Sequence, residues 1–240
     1  MGKRRAGWLA FALLAGLGLA PAEADPLGCS ARAGSWDAAQ SRCVVRVSAS
    51  AYTESVQVPL DLDPPVQQAA DDELAALRAT FEHDAARATP DRPFSLSETY
   101  EQIPGPDGVT NIVMTVFAEV GAYHPVAGYR TLVFKGDRRI GLADLFPDVA
   151  SALRAVSPIV QADLERKLLA GRPVEASDPL ELNIVQGLGA DPEHYQHFVL
   201  APGEVRFLFL PYQVACYAAG PQTGHVPFGQ IRDVLAPGLI

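Results

Sequence analysis

Lysine is nearly missing from this 240-residue chain: beyond Lys3 there are only Lys135 and Lys167. With a formal net charge of −9, the chain has no basic stripe or patch. That excludes the electrostatic footprint needed to bind nucleic acid or anionic lipid. The motifs of common chemistries are missing as well. There is no phosphate-cradling glycine loop, no H-E-x-x-H, no G-x-S-x-G, no S-x-x-K and no D-x-D-x-D-G calcium loop. Repeats and low-complexity segments are absent. Beyond residue 24 no apolar run reaches the ~20 residues of a membrane-spanning helix.

Cysteine is scarce too, with three residues, Cys29, Cys43 and Cys216. Cys29 and Cys43 bracket a short loop rich in Ala, Ser and Gly, and are expected to form a disulfide. Closing a loop of about 15 residues contributes ~3 kcal/mol in the chain-entropy model. Cys216 is then odd, either buried or paired between chains. Its neighbours Val214, Ala215, Tyr217, Ala218 and Ala219 are small or mostly apolar, and only His225 could supply a cation. A buried, inert thiol in a folded corner is the expectation.

What is present begins with a leader. Lys3, Arg4 and Arg5 precede an apolar run from Ala6 to Leu19, Pro21 breaks it, and Ala22-Glu23-Ala24 has the A-x-A form of a cleavage site. Residues 1–24 read as a secretory signal peptide. Pro26-Leu27-Gly28-Cys29 carries proline where a lipoprotein signal needs leucine. Export to the extracellular space or cell envelope follows, which permits the disulfide. The leader carries three basic residues and Glu23, so the mature chain is more acidic than the whole: −11 against −9. Such a chain suits a basic extracellular protein or a cell-envelope component as partner.

Hydrophobic periodicity then orders the chain. Val44–Ser48 and Ser55–Leu60 read as strands. Pro64-Pro65 opens a helix with Val66, Ala70, Leu74, Leu77 and Phe81 on one face. Phe94–Ile103 and the run from Val109 alternate around Gly105-Pro106-Asp107-Gly108, a hairpin. Tyr129–Phe134 is a further strand and Leu142–Phe146 a short connection. A second helix covers Val149–Leu169, with a break expected at Pro158. Residues 171–191 read as irregular. Phe198–Leu200 and Val205–Leu210 form a second hairpin, followed by a short strand at Val226–Phe228 and a short helix at Gln230–Leu235. The class is α+β: a mainly antiparallel sheet with two main helices packed on it. Residues 25–93 (disulfide loop, strands and helix) and 94–240 are expected to form one compact unit.

Few residues point to chemistry. His194 and His197 sit three apart after Asp191-Pro192, but no third ligand is implied, and a surface turn is the simpler reading. No metal and no cofactor are expected. His124 lies in an irregular Gly121–Pro125 link, where Glu119 or Asp144 could orient it as a general base. Nothing supplies a nucleophile at a fixed offset, so a cell-envelope hydrolase or carbohydrate-active enzyme using His124 and Glu119 is the alternative reading. Tyr123, His124 and Tyr212 are the candidate functional loop residues. Carboxylates such as Asp61, Asp63, Asp71, Asp72, Asp178 and Glu181 read as solvated surface. The strand aromatics Tyr100, Phe117, Tyr129, Phe134, Phe198, Phe207 and Phe209 read as core.

From Phe94 onward the order of features resembles the extracellular domain of RsiV-type anti-sigma factors. The matching pieces are Gly121–Pro125, Leu142–Phe146, Phe207–Tyr212, Ala218-Ala219-Gly220-Pro221 and Val226-Pro227-Phe228. Within that superfamily the chain is most similar to the secreted immunogenic antigens of mycobacteria. The Cys29–Cys43 start, Pro158-Ile159-Val160-Gln161, Asp191-Pro192 with Tyr195-Gln196 and Phe198, and Ala218–Pro221 carry that likeness. The resemblance implies an α+β fold and an exported, non-catalytic binding protein. It also implies a ligand of the lysozyme type, since some anti-sigma members bind lysozyme. It supplies no catalytic residues. The leader, with no sigma-binding segment, means that signalling is not carried over.

Overall fold

The computed structural model describes residues 28–169 and 179–239. The leader, at 1–24, lies outside the described residues. The chain opens on a short 3-10 turn, Ser30–Arg32, and the strands β1 (Ser35–Asp37), β2 (Arg42–Ser48) and β3 (Tyr52–Val58). Cys29 and Cys43 are bonded, with Cα atoms 5.6 Å apart. Helix α1 (Pro64–Ala85) follows, begun by two prolines whose missing N–H groups cost nothing in a first turn. Then come β4 (Phe94–Pro104), β5 (Val109–Glu119), β6 (Val126–Lys135) and β7 (Arg138–Arg139).

These seven strands form one sheet in chain order, β1 to β7. Every neighbour is antiparallel except β3 and β4, which run parallel because α1 carries the chain back across the sheet. The sequence reading lacked this crossover. α1 packs Val66, Ala70, Leu74 and Phe81 onto a sheet face made of Val56, Val58, Leu96, Ile112, Met114 and Leu132.

The second half builds its own layer. The short helix α2 (Leu142–Leu145) leads into α3 (Val149–Leu168), and α4 (Pro179–Gly187) is a helix within the stretch read as irregular. A three-stranded antiparallel sheet follows: β8 (Phe198–Ala201), β9 (Glu204–Phe209) and β10 (Gln222–Pro227), ordered β10-β9-β8. The four-residue helix α5 (Phe228–Ile231) ends the described elements. On β9 the residues alternate, with Val205, Phe207 and Phe209 buried. They pack with Leu153, Val156, Val160 and Leu164 of α3 in a second core that also includes Tyr195. α3 therefore packs on the small sheet and α1 on the large one. Val113, Tyr129 and Val199 join the two sheets.

α3 runs unbroken through Pro158, against expectation. Pro158 is exposed, and so is Arg154, whose carbonyl loses its partner. Both residues lie on the exposed face of α3, where water replaces the missing bond and the helix tolerates its loss.

Candidate functional site

Two loops meet at one end of the β5–β6 hairpin. The first, 120–125, leaves β5 through Gly121, whose φ of 85° suits glycine and strains other residues. It presents Tyr123, which is 96 % exposed, and His124. The second, 210–221, leaves β9 at Leu210. Val214 and Ala215 anchor it in the core. The Gln213 side chain donates to the carbonyls of Gly187 and His194. The loop can lie this close only because residue 187 is glycine: a Cβ there would collide with the Gln213 carbonyl oxygen. Between these anchors Tyr212 is held at φ 71°, a left-handed conformation that costs a bulky residue about 1–3 kcal/mol, and it is 60 % exposed. Its N–H donates to the Ala215 carbonyl.

The result is a cluster of four rings. His124 stacks on Tyr217 at 4.4 Å between centroids, with planes 10° apart. Tyr123 meets His124 edge-on at 4.6 Å, and Tyr212 lies 5.5 Å from Tyr217 and 6.2 Å from His124. They border a pocket of about 440 Å³ completed by alanine, proline, valine and leucine side chains. No carboxylate, guanidinium or ammonium lines it. Tyr123, His124 and Tyr212 are thus brought together as a group. Tyr217 was missed: it lies among small residues with no periodic pattern to signal it. Glu119 is exposed at the end of β5 and does not line this pocket.

Cys216 is exposed, which corrects the expected burial. Val214 and Ala215 take the buried positions, and the chain then turns outward into the 3-10 turn Tyr217–Ala219. His225 does not face it: Nδ1 of His225 lies 3.1 Å from both carboxylate oxygens of Glu204. Burial raises the Glu204 pKa, but hydrogen bonds from Arg206 and His225 outweigh it and hold the group below its usual range. His194 and His197 go separate ways. His194 contacts the Gly189 carbonyl at 3.2 Å, and His197 packs edge-on to Tyr129. Burial, with the Arg130 charge nearby, pushes the His197 pKa down. Among the described residues no group of three or more His, Cys, Asp or Glu side chains could hold a metal ion. The partners of His124, His194, His197 and His225 named here include no serine, threonine or cysteine.

Two joined sheets, each covered by a long helix, with an aromatic site on the loops, make up an α+β architecture that known relatives share. The family model described as "Protein of unknown function (DUF3298)" matches residues 143–229, which span α3, the small sheet and the loop bearing Tyr212 and Tyr217. A DUF3298 protein of Pseudomonas aeruginosa shares the fold with a TM-score of 0.61 at 14% identity, covering 82% of this chain and 93% of that one. One from Bacteroides fragilis does so at 0.52 and 14%, covering 81% and 92%. The immunogenic protein MPB64 of Mycobacterium bovis is 30% identical over 200 residues, 81% of this chain and 82% of that protein, and MPT64 of Mycobacterium tuberculosis matches equally. This chain belongs to the family of these mycobacterial immunogenic proteins. A further relative, named esterase Rv3036c, of Mycobacterium tuberculosis, is 29% identical over 220 residues, 86% of this chain and 91% of that one. No helix among the described residues is long and apolar enough to cross a membrane.

Proposed function

We propose that this is an exported, non-catalytic binding protein that holds a basic extracellular protein of the lysozyme type on the Tyr123–His124–Tyr212–Tyr217 surface. The carrying observation is the set of rings held out of the core, with Tyr212 kept in a strained backbone conformation and Tyr123 96 % exposed. Exposed aromatics on anchored loops are typical interface hot spots, because they bring large contact area with few rotamers to freeze. The pocket lining offers stacking and phenol hydrogen bonds but no nucleophile with a paired base. The net charge of −9 steers a basic partner toward the molecule. Export is supported by the leader sequence, the Cys29–Cys43 bond and the immunogenic relatives.

Calorimetric titration with lysozyme at low and moderate salt tests this reading. Binding is expected to weaken as salt rises, and Tyr123→Ala with Tyr212→Ala should weaken it at least tenfold, about 1.4 kcal/mol. No heat at either salt removes lysozyme as the ligand. Binding that ignores both substitutions removes the aromatic surface. The relative named an esterase favours one competing reading, hydrolysis through His124. Turnover of a short-chain ester that disappears in His124→Ala would overturn the non-catalytic assignment.

A further inference from the structure

β5 borders β6 along nearly its whole length, but β7 pairs only with Phe134 and Lys135. Backbone groups of alternate residues point to opposite edges of a strand. Ile140 donates to the Val133 carbonyl, and the Arg130 guanidinium donates to the Tyr129 carbonyl at 2.8 Å. Those two bonds place odd-numbered residues on the edge away from β5. Ala127, Tyr129 and Thr131 therefore direct their backbone groups to a side where, among the described residues, no strand lies. Such an edge is a template for another chain.

A groove of about 320 Å³ wraps around this edge. Leu77 and Phe81 of α1 form one wall, Val116 and Gly128 lie on the same sheet face, and Leu210 comes from the far face. The gap exists because residue 128 has no side chain. A Cβ there would lie 3.8 Å from the Val116 Cβ, an ordinary contact, so nothing in the packing forbids a larger residue. Asp84, paired with Arg87, and Arg130, paired with Glu73, are the charged residues that line it.

We infer that the edge of β6 from Ala127 to Thr131 is a strand-addition site. It receives an extended, basic peptide segment of a partner protein and takes a large apolar side chain of that segment into the gap over Gly128. Main-chain bonds to the edge provide affinity, and the groove selects the side chain that faces it. An arriving N–H replaces the Arg130 guanidinium on the Tyr129 carbonyl. Arg130 keeps its second partner, Glu73 of α1, 3.5 Å away. A basic segment complements the net charge of −9, and its cations compete with Arg87 for Asp84, the two now 2.6 Å apart. A second copy of this chain is disfavoured: it would bring two acidic molecules together and set Arg130 against Arg130. The site lies beside the aromatic rings and shares Val126, Ala127 and Leu210 with their pocket, but it uses backbone groups rather than rings.

The test uses the full exported chain and three synthetic heptapeptides of alternating valine and threonine with terminal lysines, differing in a central Leu, Phe or Ala. Backbone amide exchange is followed residue by residue. Saturating Leu or Phe peptide should slow exchange at Ala127, Tyr129 and Thr131 at least tenfold and bind at least tenfold more tightly than the Ala peptide. Ala127→Pro deletes an outward N–H without touching the ladder to β5 and should weaken binding at least tenfold. Gly128→Val should erase the preference for Leu and Phe, and it decides the matter where Ala127→Pro is too unstable to purify. Absence of protection with all three peptides, or affinities unchanged in Gly128→Val, overturns the proposal. So does protection that grows with protein concentration alone, which would identify a second copy as the occupant.

Discussion

At the scale of single residues, scarcity is matched by fixed roles. Both lysines among the described residues are used as clamps on backbone carbonyls. Lys135 donates to those of Gly238 and Leu239 and so pins the end of the chain, and Lys167 donates to that of Thr223. Glu98 is the opposite case. It is 1 % exposed on β4, beside Val56 and Val116, and neither carboxylate oxygen has a hydrogen-bond partner. Burial pushes its pKa up to about 8. The folded state thus holds a proton that the unfolded state, at the ordinary value of 4.5, releases. The sign follows: stability is fully present below about pH 4.5 and falls as pH rises toward 8. Glu98→Gln should be close to neutral at pH 4 and should stabilise by about 2–4 kcal/mol at pH 8. Thermal melts of both proteins across pH 4–9 measure this, and parallel curves would refute it. The alternating pattern of Phe94–Ile103 reveals which face Glu98 takes but not that it goes unpaired, because that depends on strands distant in sequence. Cys216 was misjudged for a related reason. Its composition-poor surroundings are the mark of a core segment, yet Val214 and Ala215 already fill the core.

At the scale of elements, the small sheet is closed off by side chains. β8 is an edge strand, but buried Asn111 of β5 takes the place of a neighbour. Its amide donates to the Leu200 carbonyl at 2.8 Å and accepts from the Leu200 N–H at 3.0 Å. At the other edge Asp163 of α3 accepts from the His225 N–H of β10, while Lys167 covers the Thr223 carbonyl. Burial raises the Asp163 pKa, but bonds from Lys167 and the His225 N–H, with the charges of both residues, outweigh it and hold the group below its usual range. Its contribution is therefore present above about pH 4 and lost as pH falls further. The large sheet ends on strands of three and two residues, and the two-residue β7 leaves the edge of β6 from Ala127 to Thr131 uncovered. Asn111→Ala should cost about 2–4 kcal/mol, because it strands the N–H and C=O of buried Leu200. A urea midpoint shift with unchanged slope, and faster exchange at Leu200, would bear this out. A change under about 0.5 kcal/mol would mean that water enters and replaces the amide. The hairpins and the two long helices were legible from period and turn residues alone. The parallel β3–β4 pairing was not, because nothing local in either strand states its neighbour. Pro158 shows the limit of a local rule, since its cost depends on which side of α3 faces water.

At the scale of the molecule, two cores meet across two sheets. The core formed by α3 and the small sheet draws its buried residues from Val133 onward. The core beneath α1 is shared: Val56, Val58, Val66, Leu74 and Phe81 come from the first part of the chain, and Leu96, Ile112, Met114 and Leu132 from the second. The four rings of the candidate site depend on both long-range contacts and loop anchors, so only three of their four residues could be picked from sequence, and none of their geometry. Residues 25–93 and 94–240 are proposed to fold as one unit on this basis. Deleting 25–93 would remove α1 and strip one face of β4, β5 and β6, exposing Leu96, Ile112, Met114, Val116, Leu132 and Phe134, each now less than a tenth exposed. A contiguous apolar face of that kind drives association. The second core, by contrast, loses none of its buried members. The 94–240 fragment should therefore retain much of its far-ultraviolet signal while binding an apolar dye and associating in solution, and adding the 25–93 fragment should reverse both. A fragment that stays monomeric, with sharp amide resonances and no dye binding, would show instead that the β4–β10 region stands alone and that residues 25–93 are an accessory to it.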